Sequence, residues 1–263
     1  MKKNDLVSDL KKDLDTFCEI YASRPIQDNV GGMGFNHSFA LWKMLKVLKP
    51  DIVIESGIFK GHSTWLIETT LPGARIISFD TNLGLRQYVS PTVTYREGDF
   101  QFYDWSSENL ENSLIFFDDH QNSFSRILLA YFFGFKRLIF EDNYPINEGD
   151  FYSLNHLNSD TGFPDIQLSA KHRKSWKMRL KRAWYLPVLR RVGSRQNWII
   201  PENSFDSKNL KRRTFNMVTF PRILRNDGSI ESEFTVFVPE FKLVNSENKS
   251  EFSYNNITYL ELQ

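Results

Sequence analysis

A doubly wound α/β fold is predicted for this chain: a mostly parallel sheet with helices on both faces and an antiparallel C-terminal hairpin. Three observations predict it. Short apolar runs alternate with helix-period segments between about residues 50 and 140, the pattern of a parallel sheet covered by helices. The run Ile52-Val53-Ile54 enters Glu55-Ser56-Gly57-Ile58-Phe59-Lys60-Gly61-His62-Ser63-Thr64, which reads as a buried strand, a two-glycine turn and a helix start. Asp80 ends the next apolar run, Ile76-Ile77-Ser78-Phe79, roughly 20 residues beyond the glycines, where such folds place a carboxylate on a ribose.

Leu6, Leu10, Leu14, Phe17, Cys18 and Tyr21 recur at helical spacing and predict one first helix. Gly31-Gly32-Met33-Gly34 breaks the chain, and a second helix buries Phe39, Trp42, Leu45 and Leu48 before Pro50. Strands are expected at about 52–55, 76–79, 92–96, 113–117 and 137–140, with helices at about 63–70, 83–89 and 123–133. The runs 215–220 and 234–238 form the expected closing hairpin. Residues 1–50 are read as N-terminal helices packed on the core, and 51–263 as the main domain, with an insertion or lid at about 150–210. From Lys171 to Arg195 that insertion carries ten Lys and Arg and no acid, and Trp176, Leu180 and Trp184 share one face of a helix that Pro187 would end. It reads either as a dock for an anionic substrate or a membrane surface, or as a solvated lid helix.

The 263 residues fit one α/β domain with an insertion, and 41% hydrophobic and 15% aromatic content is globular. A net charge of +1 gives no global attraction to nucleic acid. The single Cys18 excludes an intramolecular disulfide framework and a cysteine-ligated zinc site. No signal-peptide pattern or apolar run long enough to span a bilayer is visible. A soluble, cytoplasmic protein is expected, and a homo-oligomer is compatible with the sequence.

Charge and glycine count select the ligand of the loop. A dinucleotide fingerprint has three glycines around a pyrophosphate; here the spacing is G-x-x-x-G, and Glu55 puts an anion where the pyrophosphate would sit. S-adenosylmethionine, cationic and free of phosphate, fits better, with Asp80 on its ribose. Three further strand ends carry acids: Glu97-Gly98-Asp99, Asp118-Asp119-His120-Gln121-Asn122 and Glu141-Asp142-Asn143-Tyr144. Asp99 is expected either to bind the adenine amino group or to cap the next helix. If strands four and five are neighbours, about 4.8 Å apart, Asp118 converges with Glu141 and Asp142. Anions so close raise one another's pKa unless a cation sits among them, and carboxylates with an Asn amide suit Mg²⁺ or Ca²⁺.

With those residues in hand, the stretch Ile54-Glu55-Ser56-Gly57 through Gly61-His62-Ser63, with Asp80, Asp118 and Glu141-Asp142-Asn143, resembles the Rossmann-like class I S-adenosylmethionine-dependent methyltransferases, in particular their metal-dependent O-methyltransferases. Asp142-Asn143 is similar to the catechol O-methyltransferase pattern, and Glu141-Asp142 to that of the macrocin O-methyltransferase and cephalosporin hydroxylase-like groups. The resemblance covers roughly residues 50 to 145. It implies that Glu55, Ser56, Gly57, Gly61 and Ser63 shape the cofactor pocket and that Asp80 holds the ribose. It also implies that Asp118, Glu141 and Asp142, together with Asn143 in the catechol pattern, hold Mg²⁺ or another divalent cation bound through oxygen. The lysine base that the catechol enzymes carry after the strand-four Asp is replaced here by Asp119-His120-Gln121-Asn122.

The expected chemistry is Mg²⁺-assisted methyl transfer to a hydroxyl, with Asp118 and His120 as the catalytic residues. An imidazole that titrates near pH 6.5, about neutrality, suits a general base; His120 serves equally as a supporting or capping residue. The expected acceptor is a small polyhydroxylated molecule such as a sugar, in anionic form if the basic insertion binds it. Two alternatives stand beside this reading: a non-catalytic binding module in glycan synthesis, and an RNA methyltransferase using the basic, aromatic lid. No specific nucleic-acid partner is expected, because the overall charge and the lack of an Asn-Pro-Pro-Tyr motif after strand four oppose the second.

Overall fold

Seven strands order the molecule as β3-β2-β1-β4-β5-β7-β6 in a computed structural model describing residues 2–146, 148–149, 151–160, 208, 211, 214–243 and 249–262. The strands are β1 (Ile52–Ser56), β2 (Arg75–Asp80), β3 (Val93–Glu97), β4 (Ser113–Phe117), β5 (Arg137–Phe140), β6 (Thr214–Thr219) and β7 (Thr258–Leu262). The first five pair in parallel, and β7 runs antiparallel between β5 and β6. The α-helices among the described residues are α1 (Lys3–Val7), α2 (Leu10–Ala22), α3 (Phe35–Leu48), α4 (His62–Thr70), α5 (Ser123–Phe133) and α6 (Leu154–Asn158). This is the Rossmann-like doubly wound sheet that the alternation predicts.

Side chains alternate across the strands, so each strand feeds two cores. Val53, Leu114, Phe116, Ile139 and Tyr259 pack with the helical residues Leu14, Phe17, Phe39 and Trp42. Ile54, Ile77, Ile115, Leu138 and Leu260 pack on the other face with Ile127, Ala130 and Leu157. Buried on both faces, these strands read as nearly unbroken apolar runs. The N-terminal helices thus share one core with the sheet.

Three expected elements differ. The first helix is broken at Ser8-Asp9, where Asp9 takes φ 54°; buried Lys43 donates to Ser8 O at 2.9 Å and pairs with Asp13, stitching the break to α3. The helix expected at 83–89 is one 3₁₀ turn, Leu83–Leu85. The N–H groups of Gln87 and Tyr88 donate instead to Lys60 O, at 2.8 and 3.0 Å, and bind this segment to the glycine loop. The run 234–238 is not a strand: the N–H groups of Phe237 and Val238 turn back to Phe234 O at 2.9 and 3.0 Å, burying Phe234 and Val238 and exposing Val236 and Phe237. Its place beside β6 is taken by β7, so the antiparallel pair closes the sheet without a tight hairpin.

Cys18 is half-buried, and burial followed by the nearby Asp15 charge pushes its thiol up to about 11, which fits packing rather than reactivity. No helix among the described residues is long and apolar enough to cross a membrane. The basic stretch 171–195 and most of the expected lid lie outside the described residues.

Candidate active site

The parallel register brings the carboxyl ends of β1 to β5 to one rim. Continuation bonds run across it: Gly57 N–H donates to Phe79 O at 2.9 Å, Asp118 N–H to Ser56 O at 2.8 Å and Glu141 N–H to Phe117 O at 2.9 Å. Gly57, at φ +97°, has its missing Cβ 2.1 Å from Asp118 O, and Gly61, at φ +94°, 2.8 Å from Tyr88 O. Both positions require a residue without a side chain. The loop backbone therefore lies directly against the end of β4.

Asp80 fastens that loop. Its Oδ2 accepts from the N–H groups of Ile58 and Phe59 at 2.8 and 3.0 Å, and its Oδ1 from Asn82 N–H at 2.9 Å. Oδ2 is thereby filled, and Oδ1 keeps one lone pair for a further donor. Glu55 lies behind the loop, fully buried, where its Oε2 accepts from the hydroxyls of Thr64 and Ser78, both at 2.6 Å. Burial raises its carboxyl above the usual range, against the opposing pull of the Ser63, Ser78 and Thr64 hydroxyls. Glu55 and Ser63, both buried, thus support the loop from beneath rather than line its mouth.

On the opposite face of the sheet, Ser56 Oγ donates to Asp119 Oδ2 at 2.5 Å. Arg126, buried in α5, binds Asp119 through Nη2 at 2.7 Å and Asp99 through Nη1 and Nη2 at 2.9 and 2.6 Å. Asp99 also accepts from Gln101 N–H at 3.0 Å, capping the 3₁₀ turn Phe100–Phe102. Arg126 did not figure among the sequence candidates. Its signal was present: a lone arginine within the apolar run Phe124–Phe133.

Beyond the loop, Asp118, Glu141 and Asp142 converge on a cavity of about 240 Å³ bounded by the segments 29–34 and 251–255. Burial, then the charges of Glu141 and Asp142, push the Asp118 carboxyl well above the usual range. Glu141 is raised likewise, by burial and then by Asp142. Asp142 is held on both oxygens: Tyr144 Oη–H donates to Oδ2 at 2.6 Å and Asn255 Nδ2–H to Oδ1 at 2.9 Å. His37, at the start of α3, meets Glu141 Oε1 through Nδ1. His120, at φ 51° with a side chain 49% exposed, brings Nε2 to 3.9 Å from Asp142 Oδ2.

Asn143 turns away from this group. Its Nδ2–H donates to Thr258 Oγ1 at 3.1 Å and its Oδ1 accepts from Asn155 N–H at 2.7 Å, tying β5 to β7 and α6. The sequence reading also left out Asn255. Nothing local marks that residue, which reaches Asp142 across 113 positions of sequence.

The donor chemistry fits two groups. Asp118 and Glu141, whose ionisation burial and neighbouring charge disfavour, form with Asp142 an oxygen-only set suited to Mg²⁺ or Ca²⁺. The loop fits a cationic, phosphate-free nucleoside: Asp80 and the rim acids face it, Arg126 is engaged by Asp99 and Asp119, and Lys60 donates to Asp28 O and Val30 O at 3.0 and 3.3 Å. Fold and site define a doubly wound α/β protein with an acidic cleft at the carboxyl rim of its sheet.

The chain matches no family model and no curated protein. Among solved structures it is similar to cmcI with Mg-SAM, at 22% identity and TM-score 0.32, over 38% of this chain and 48% of that one. The chain thus spans about half the length of the cmcI structures that it matches. It is similar along most of its length to SAH-bound Podospora anserina methyltransferase PaMTH1, at 10% identity and TM-score 0.45, over 97% of this chain and 96% of that one. The Bacillus cereus O-methyltransferase in complex with SAH gives 11% identity and TM-score 0.42, over 100% and 92%. Likeness at these TM-scores identifies neither a family nor an activity for this chain.

Proposed function

We propose that this chain is an S-adenosylmethionine-dependent, Mg²⁺-assisted O-methyltransferase acting on a hydroxyl of a sugar or another small polyhydroxylated molecule. The observation that carries the reading is the convergence of Asp118, Glu141 and Asp142 beside a glycine loop pinned by Asp80. When bound, S-adenosylmethionine would supply the methyl group and a divalent cation the Lewis acidity that makes an acceptor hydroxyl easier to deprotonate.

The chain's own residues do the rest. Asp80 accepts a ribose hydroxyl on the one Oδ1 lone pair left free, and Gly57 and Gly61 keep the loop backbone in close approach. Asp118, Glu141 and Asp142 hold the cation, with Tyr144 and Asn255 fixing the orientation of Asp142. The acceptor occupies the cavity between 29–34 and 251–255, where Asn29, Glu251 and Ser253 offer polar contacts suited to hydroxyls. His120 takes the hydroxyl proton on its imidazole as the new carbon–oxygen bond replaces the carbon–sulfur bond. Positioning and charge supply most of the acceleration.

Calorimetric titration of S-adenosylmethionine with and without Mg²⁺ tests the reading. Asp80→Ala should weaken cofactor binding about tenfold or more, the worth of charge-assisted hydrogen bonds, whereas Asp118→Ala should chiefly abolish the Mg²⁺ effect. Undiminished affinity in Asp80→Ala would break the ribose assignment. A wild type indifferent to Mg²⁺ would return the rim acids to structural roles.

A further inference from the structure

We infer that His37 is a positioning residue of the cation site, fixing the Glu141 carboxylate from behind without ligating the ion; the inference rests on the reading of Asp118, Glu141 and Asp142 as that site. By distance alone His37 could be a ligand, since His37, Glu141 and Asp142 each bring one donor atom within 4.8 Å of the others. The hydrogen bonds exclude it. Asn255 N–H donates to His37 Nε2 at 2.8 Å, so Nε2 must carry a lone pair. A neutral imidazole then keeps its one proton on Nδ1, the atom that meets Glu141 Oε1. Nδ1–H donates to the carboxylate, and neither ring nitrogen has a lone pair left for an ion.

His37 is 4% exposed, and Tyr254 packs edge-on against its ring with centroids 5.0 Å apart. That packing restricts rotation of the ring. Asn255 is the common element: its backbone N–H sets the His37 tautomer, and its side-chain amide donates to Asp142 Oδ1 at 2.9 Å. One residue thereby orients both adjacent acids of β5, one directly and one through an imidazole. Partners of this kind typically govern metal affinity by 10–100-fold, about what is expected here.

Two isosteric variants separate the two bonds. His37→Asn places an amide nitrogen where Nδ1 sits and keeps a donor for Glu141; His37→Gln places its amide near Nε2 and loses that donor. Titration calorimetry with Mg²⁺ on the full chain should find His37→Gln weakened about 10–100-fold and His37→Asn within a few-fold of wild type. Long-range ¹H–¹⁵N spectra of histidine-labelled wild type should show a protonated Nδ1 and an unprotonated Nε2, unchanged on adding Mg²⁺. Equal losses in the two variants, no loss in His37→Gln, or an Nδ1 that loses its proton when Mg²⁺ is added would each overturn the positioning role. A wild type that binds no Mg²⁺ would overturn the cation site itself, and this role with it.

Discussion

Arg126 grips Asp99 through both terminal nitrogens, at 2.9 and 2.6 Å, from a side chain only 1% exposed. The same guanidinium reaches Asp119, so one buried cation stands between two carboxylates at the ends of β3 and β4. Removing it leaves both anions uncompensated. Arg126→Met should lower unfolding free energy by about 3–5 kcal/mol, the cost of breaking a buried pair from one side. Urea denaturation measures this. Arg126→Lys should recover only part, because an ammonium cannot reproduce the two-pronged contact, and a loss below 1 kcal/mol, on the order of an exposed pair, would contradict the burial argument.

Gly57 and Gly134 provide an internal comparison. Both have positive φ, +97° and +91°, but a Cβ on Gly57 would strike Asp118 O at 2.1 Å, whereas one on Gly134 meets nothing within 4 Å. Gly134→Ala should cost only the left-handed backbone penalty, about 1–2 kcal/mol. Gly57→Ala should cost more and should also displace Asp118, weakening Mg²⁺ binding. Thermal melts and Mg²⁺ titration of the two variants side by side decide the point, and equal effects on both readouts would refute it.

Acid should destabilise the fold through His62. Burial, then Arg24, lowers its pKa to about 4, and Ser38 Oγ lies 2.9 Å from its Nε2. The unfolded chain therefore binds this proton first as pH falls. The stabilisation is fully present above about pH 6.5 and is lost progressively as pH falls through 4, by roughly 3 kcal/mol. His62→Gln should flatten the pH dependence of urea midpoints between 4 and 6.5. An unchanged slope in that variant would show that His62 does not carry it.

The rim acids give the opposite sign. The folded-state pKa values of Asp118 and Glu141 are raised, so their protonated forms are favoured on folding and stability falls as pH rises above their ordinary values. In EDTA at pH 8, Asp118→Asn should be more stable than wild type, by about 1.4 kcal/mol for each tenfold by which folding weakens the acid. Saturating Mg²⁺ should stabilise wild type by about 2.7 kcal/mol at a hundred times its dissociation constant and leave Asp118→Asn unmoved. Differential scanning calorimetry distinguishes the four conditions; a variant less stable than wild type in EDTA would argue that the acids are already compensated within the chain.

The first five strands and the acids at their ends were legible because apolar runs and turn residues are local signals. β7 was not. Thr258–Leu262 competes with the more strongly apolar 234–238, and only the pairing with β5 and β6 decides between them. The helix expected at 83–89 failed for a similar reason, since Lys60 O draws its N–H groups away. At the site, convergence of Asp118 with Glu141 and Asp142 followed from strand adjacency alone. Asn143 continues that set in sequence but points towards Thr258 and Asn155. The residues that orient the acids pair across long stretches of chain, 104 positions for His37 with Glu141 and 113 for Asn255 with Asp142, and such pairs leave no trace in local spacing.

Asn255 also sets the order in which the cleft can be completed. A nascent chain emerging from the ribosome has all five parallel strands before it has β7, so β5 waits with an open edge and its two acids without the bonds that Asn255 supplies. Such an intermediate exposes an unpaired strand and offers an incoming ion a loose, poorly shaped nest. Tight ion capture should therefore coincide with docking of β7, making it a reporter that synthesis of the sheet has finished.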